Sequence, residues 1–161
     1  VQSIDTDLDL EVLLEEVNRL KTWLDGSGAL MAVTQSGGIP DKVRELPATM
    51  AAILQISRAR GQPPLNVMVN TLAPGVGVPK HVDRLRDTTH QRGWPRVERW
   101  HLPILTNELC SWWDAVNGTV RMLAGGWWGP VPYWVEHSVQ NLGDCDRVHL
   151  VVDLDTEVPC G

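Results

Sequence analysis

From Leu65 onward the chain is cut into short β-forming runs by turn residues. Candidate strands are Leu65–Leu72, Val78–Asp83, Val97–Leu105, Cys110–Ala115, Thr119–Leu123, Trp127–Val131, Trp134–Gln140 and Arg147–Leu154. The cuts fall at Ala73-Pro74-Gly75, Asn117-Gly118, Gly125-Gly126 and Asn141-Leu142-Gly143-Asp144. Asn-Gly is the strongest hairpin signal among them, because a tight two-residue hairpin needs positive φ at both central positions. Runs of this length and spacing fold as a sandwich or a barrel.

The front of the chain has a different period. Leu10, Leu13, Leu14, Val17, Leu20 and Leu24 form one stripe of a helix over Asp9–Leu24, with acidic residues leading and Arg19 and Lys21 nearer the end, as the helix dipole favours. Gly26-Ser27-Gly28 stops it. A second helix is expected over Ala48–Ala59, between Pro47 and Gly61. The expected architecture over 1–161 is one domain, mainly β with N-terminal helices. Residues 1–64 are mostly helical support and 65–155 form a double-stranded β-helix, a cupin-like jelly roll.

Composition narrows the partners. A chain of 161 residues with 43% hydrophobic and 21% charged residues is globular, and its net charge of −6 argues against nucleic acid. Lys80, Arg84, Arg86, Arg92, Arg96 and Arg99 nevertheless crowd together, which suits a small anionic ligand or a solvated loop. The stretch Arg84–Arg96 reads either as a lid that binds an anionic substrate group through Arg84, Arg86 and Arg92, or as a plain surface loop. Three cysteines without a CxxC spacing fit a reducing compartment. No apolar run approaches the roughly 20 residues of a membrane span, and Val1–Leu10 has no leader pattern, so a cytoplasmic protein without membrane contact is expected.

The chemistry-bearing residues lie in the β-rich part. His81 and Asp83 are two apart on a candidate strand, so both side chains point to one face and can reach one metal ion. A distant second histidine, His137, completes a two-histidine, one-carboxylate triad, which leaves coordination positions open. Taken alone, His137 reads equally as a core histidine. Arg147 follows ten residues later, across the turn at Asn141–Asp144. A buried arginine needs an anion, and its planar fork matches a carboxylate, either Asp144 or Asp146 or a bound one. Arg99 and His101 repeat the two-apart geometry: they either add a cation and a donor to the same anion, or Arg99 pairs with Glu98 or Glu108 at the surface. His149 shares the Arg147 face. Trp127, with Trp112, Trp113, Trp128 and Trp134, reads as core, pocket wall or substrate platform.

The stretch Asn70–Leu154 resembles the aspartyl/asparaginyl β-hydroxylase family of 2-oxoglutarate dioxygenases, especially its short bacterial and phage members. The resemblance rests on Leu72-Ala73-Pro74-Gly75 leading to His81, on Arg99-Trp100-His101-Leu102-Pro103-Ile104, and on His137-Ser138-Val139-Gln140-Asn141 running into Asp146-Arg147-Val148-His149-Leu150. It implies iron(II) on His81 and His137, with Asp83 as a third ligand that the vertebrate founders lack. It also implies 2-oxoglutarate on Arg147 with help from Arg99 and His101, and O2 as second co-substrate. Asn70 stands where those founders place a serine on the co-substrate. The implied reaction is hydroxylation of a small-molecule, amino-acid or peptide substrate, an Asp or Asn side chain being the family's own case. Two other classes keep part of the pattern: a metal-dependent cupin enzyme that does not use 2-oxoglutarate, and a jelly-roll binding module built on the tryptophans.

Overall fold

The computed structural model describes residues 1–23, 29–32, 41–83 and 97–157. The first helix is α1 (Leu10–Trp23). Asp9 caps it, its Oδ1 accepting the backbone N–H of Glu11 at 3.1 Å and of Val12 at 3.2 Å. Leu13, Val17 and Leu20 are buried, and Leu10 and Leu14 pack beside them, so the expected stripe faces the core. A short α2 (Asp41–Arg44) precedes α3 (Pro47–Arg60), which starts on a proline and ends at Gly61 with φ 65°. Leu46 at the head of α3 has no side-chain oxygen to cap it. Glu16, from α1, takes that role: its carboxylate accepts Ala48 N–H at 3.1 Å, Thr49 N–H at 2.7 Å and the Thr49 hydroxyl at 2.9 Å. The buried carboxylate thus sits at the positive end of the α3 dipole and ties the two helices together.

The described residues hold ten strands. They are β1 (Gln2–Asp5), β2 (Ala29–Ala32), β3 (Pro64–Leu72), β4 (Gly77–His81), β5 (Val97–Leu105), β6 (Cys110–Asp114), β7 (Gly118–Val120), β8 (Gly126–Gly129), β9 (His137–Asn141) and β10 (Arg147–Asp155). They form a six-stranded sheet, β1-β8-β5-β10-β3-β2, and a four-stranded sheet, β4-β9-β6-β7, antiparallel throughout. Among the described residues no helix is long and apolar enough to cross a membrane.

β10 lies between β5 and β3 and is buried along its whole length. Its alternate residues Val148, Leu150, Val152 and Leu154 join the main core, where α1 and α3 pack on the sheet together with Trp100, Leu102 and Trp127. A smaller apolar cluster of Trp112, Met122, Val131 and Val139 adjoins the other sheet.

The turns fall where expected. Pro74 and Gly75 (φ 74°) occupy the centre of the Ala73–Val76 turn, closed by Val76 N–H to Ala73 C=O at 3.1 Å, the arrangement of a type II turn. β6 turns into β7 through Ala115-Val116-Asn117, with Gly118 (φ 71°) already paired with Asp114, so the loop is one residue longer than a two-residue Asn-Gly hairpin; the Asp114 carboxylate holds it by accepting from the Val116 and Asn117 backbone N–H groups at 2.9 and 2.6 Å. β1 and β2 add strands to the larger sheet beside the helices of residues 1–64. Three expectations need correction. The strand expected over Val78–Asp83 ends at His81, so Asp83 lies beyond it. The strand expected from Trp134 begins at His137, since Val135 N–H closes a turn on Pro132 C=O. The run expected over Thr119–Leu123 ends at Val120. Leu24 and the segment 84–96 lie outside the described residues.

Candidate metal and anion site

His81 ends β4 and His137 begins β9, and the two are register partners across the ladder. Asp83 follows two residues after His81, its backbone N–H donating to Tyr133 C=O at 3.3 Å. Asp83 Oδ1 lies 3.1 Å from His81 Nε2 and 3.6 Å from His137 Nε2, and one ligand atom from each of the three residues falls within 4.8 Å of the others. Each imidazole is oriented from behind. His81 Nδ1 is 2.8 Å from Pro79 C=O and His137 Nδ1 is 2.9 Å from Val135 C=O. A carbonyl only accepts, so both Nδ1 atoms carry a proton, and in the neutral rings both Nε2 atoms present a lone pair. Trp112 stacks on His137 with centroids 4.6 Å apart and planes 13° from parallel. Burial pushes the Asp83 carboxyl up, but its contact with His137 and the Arg99 charge outweigh burial and hold it well below the usual carboxylate range. Two imidazoles and one carboxylate, each steadied by an outer partner, fit a divalent first-row metal ion.

These residues line a cavity of about 290 Å³, lined also by Met68, Asn70 and Leu72 of β3, Arg99 and His101 of β5, Val139 of β9 and Arg147 of β10. The cavity therefore draws on both sheets. Its lining is also cationic. Arg147 is buried and bonded through Nη2 to His149 Nδ1 at 3.0 Å, and among the described residues no carboxylate lies within ion-pair reach of it. Asp144 and Asp146, the alternatives raised by the sequence, do not pair with it. Burial without a counter-anion lowers the guanidinium to about 10. His101 and His149 are wholly enclosed; burial first, then the Arg147 charge, holds both well below an imidazole's ordinary value. Both ring nitrogens of His101 and Nε2 of His149 are buried without a hydrogen-bond partner.

Arg99 is placed differently. Its Nε and Nη2 donate to the two oxygens of Asp153 at 2.7 and 3.0 Å, while Nη1 donates to Asp83 Oδ2. Glu98, expected as a surface partner, pairs with Arg60 instead at 3.0 Å. Asn70 lines the cavity, opposite His149 in the β3–β10 ladder. Trp127 is not available to a substrate: it is fully buried in the main core, and its indole N–H donates to Gln55 at 3.0 Å. Arg84, Arg86 and Arg92 lie outside the described residues. Sequence reasoning missed Asp153, and an acidic residue set between Val152 and Leu154, directly after the apolar run Leu150–Val152, is the signal that could have found it.

The family model for aspartyl/asparaginyl β-hydroxylases matches residues 18–157. The chain belongs to that family. The β-hydroxylase family member also shares its fold with solved oxygenase structures. A collagen prolyl hydroxylase of Paramecium bursaria Chlorella virus-1, solved as its 2OG complex, aligns with TM-score 0.60 at 12% identity, covering 96% of this chain and 94% of that one. A prolyl-4-hydroxylase of Pseudomonas putida aligns with TM-score 0.52 at 16% identity, covering 96% and 91%. The non-heme monooxygenase ThoJ, solved with nickel, aligns with TM-score 0.56 at 13% identity, covering 100% and 76%. No curated protein sequence matches this family member.

Proposed function

We propose that the chain is an Fe(II)- and 2-oxoglutarate-dependent dioxygenase that hydroxylates an amino-acid-like substrate, with an Asp or Asn side chain as the first candidate. In this reading the two sheets are the walls of a double-stranded β-helix, and 1–161 act as one domain. Iron(II) would sit on His81, Asp83 and His137, and Arg147 would take the distal carboxylate of 2-oxoglutarate, with His101 and Asn70 along its length. One observation carries the proposal: three side chains able to hold one metal ion, and a buried arginine with no carboxylate partner among the described residues, line the same cavity.

The chain's own residues then have separable tasks. Arg147 offers a planar, bidentate partner to a carboxylate and fixes which end of a dicarboxylate points away from the metal. The neutral His101 and His149 add hydrogen-bonding atoms without adding charge. Met68, Leu72, Val78, Trp112 and Val139 wall the cavity with apolar surface and limit water around the reacting atoms. Bound iron would supply the oxygen chemistry, oxidative decarboxylation of 2-oxoglutarate coupled to hydroxylation. A role for Arg84, Arg86 and Arg92 in receiving an anionic substrate group rests on sequence alone.

The test is succinate release from 2-oxoglutarate in the iron-loaded protein, screened against free amino acids and Asp- or Asn-containing peptides, beside calorimetry of 2-oxoglutarate into the Mn(II)-loaded protein. Tight, metal-dependent 2-oxoglutarate binding with substrate-stimulated succinate supports the proposal. Metal binding without 2-oxoglutarate binding overturns it in favour of a cupin enzyme of another kind.

A further inference from the structure

Arg99 lies between two carboxylates that serve different purposes. Asp153 stands directly opposite it in the β5–β10 ladder, so the two side chains meet by backbone register alone. Their contact is a side-on, two-pronged pair, Nε to Oδ1 at 2.7 Å and Nη2 to Oδ2 at 3.0 Å, with Asp153 fully enclosed and Arg99 6% exposed. The Tyr133 ring covers one face of the guanidinium at 4.4 Å from its central carbon. A guanidinium gripped on one edge and one face has little freedom left, and its remaining nitrogen, Nη1, reaches the Oδ2 of Asp83.

Asp83 needs such a grip. It lies beyond the end of β4, where no ladder fixes its backbone, and a carboxylate free to rotate can present either oxygen, or both, to a metal. With Oδ2 held by Arg99, only Oδ1 remains turned toward His81 and His137. A carboxylate that uses both oxygens occupies one more position around an ion and removes it from the co-substrates. The ion pairs point the same way. Arg99 is matched by two carboxylates, Asp83 and Asp153. Arg147 has none. An incoming carboxylate therefore gains most at Arg147.

We propose that Arg99 is a positioning residue, clamped by Asp153, that keeps Asp83 a single-oxygen metal ligand; it is not a co-substrate cation, as the family resemblance implied. The inference rests on the metal reading of the preceding subsection and deepens it.

The test uses the full chain and Mn(II) as probe, by calorimetry and by the Mn(II) electron paramagnetic resonance signal, with 2-oxoglutarate titrated afterwards into the metal-saturated protein. Arg99→Met/Asp153→Leu removes the buried pair together, which avoids leaving one charge unpaired in the core. Its Mn(II) affinity should fall by roughly 10- to 100-fold, the cost typical of losing an outer partner of a metal ligand, while 2-oxoglutarate affinity at metal saturation is retained. Asp153→Asn keeps shape and one acceptor oxygen, so it provides a folded protein if the double variant fails. It should weaken Mn(II) in the same direction by less, although Asp153 touches no metal ligand. Unchanged Mn(II) affinity with lost 2-oxoglutarate binding in either variant overturns the assignment and returns Arg99 to the co-substrate. Wild-type protein that takes up no Mn(II) overturns the metal reading beneath it, a different result from failure of the clamp alone.

Discussion

His81 and His137 oppose each other across the β4–β9 ladder with ring centroids 4.3 Å apart. The spacing of the two proposed metal-ligand nitrogens is thus set by strand register, and a slip of one residue would turn one ring to the other face of the sheet. The carboxylate between them comes from just beyond the strand end, where its direction depends on Arg99.

Loss of either ring should abolish the metal site and leave the fold intact. His81→Ala and His137→Ala should each lose Mn(II) or Fe(II) binding by more than the roughly 10- to 100-fold that removal of an outer partner costs. Because Trp112 stacks on His137, metal loading should also change tryptophan emission in the wild type and in His81→Gln less or not at all. Calorimetry and a fluorescence titration check both; full metal affinity in His137→Ala would remove it from the ligand set.

Arg147→Met should bind metal normally and lose 2-oxoglutarate. Removing one partner of a buried charge pair costs about 2–5 kcal/mol, which is roughly a 30- to several-thousand-fold loss of affinity. The melting temperature without co-substrate should stay level or rise, because the buried cation has no carboxylate partner among the described residues to leave behind and a methionine fills much of its volume. Val148, its neighbour, faces the main core on the opposite side of β10 and is untouched by the change. A folded Arg147→Met protein with unchanged 2-oxoglutarate affinity would contradict the proposed function.

Glu16→Ala should destabilise the protein by about 2 kcal/mol, since hydrogen bonds to a charged acceptor contribute more than neutral ones and the α3 N-terminus has no side-chain cap from Leu46. Glu16→Gln keeps an acceptor oxygen and should lose less. Urea denaturation of the three proteins orders them; equal midpoints would show that the cross-helix cap contributes nothing.

Stability should decline as the pH falls below about 6.5. His101 and His149 stay neutral in the folded chain but titrate near 6.5 once unfolded. Below that pH the unfolded chain binds protons that the folded chain does not, so stability is full above it and is lost toward the lower folded values. Each histidine contributes a slope of up to about 1.4 kcal/mol per pH unit. Asp83 and Asp114, both held below their ordinary 3.8, add a further loss only in more acid solution. Denaturation midpoints measured from neutral pH downward should show the decline, and His101→Gln should flatten it by about one proton. A flat profile in the wild type would mean that the two rings are protonated without cost.

Much of this was legible in the sequence where the physics is local. β5 spans the expected run Val97–Leu105, and His81 and Asp83, only two residues apart, reach one point as expected although β4 ends at His81. The partner of Arg99 was not legible. Asp153 lies 54 residues away, and only the β5–β10 register brings it opposite. Trp127 and Trp128 are adjacent, and which of them enters the main core depends on how β8 pairs with β1 and β5. β1 and β2 escaped notice because four residues carry too little period to stand out, and in β1 only Ile4 is apolar and packs on the core.

The alternation of β10 has a consequence for how such a chain can change over time. Arg147, His149 and Asp153 meet polar or charged partners on one side, while Val148, Leu150, Val152 and Leu154 belong to the core on the other. The odd-numbered positions can therefore be rewritten for a new ligand while the even-numbered ones continue to specify the same architecture. An insertion or deletion within the strand has no such freedom, because it exchanges the two sets. Descent with this strand should thus proceed by substitution at every second residue and almost never by a change of length, and a shared fold can persist among proteins that agree at only 12% of positions.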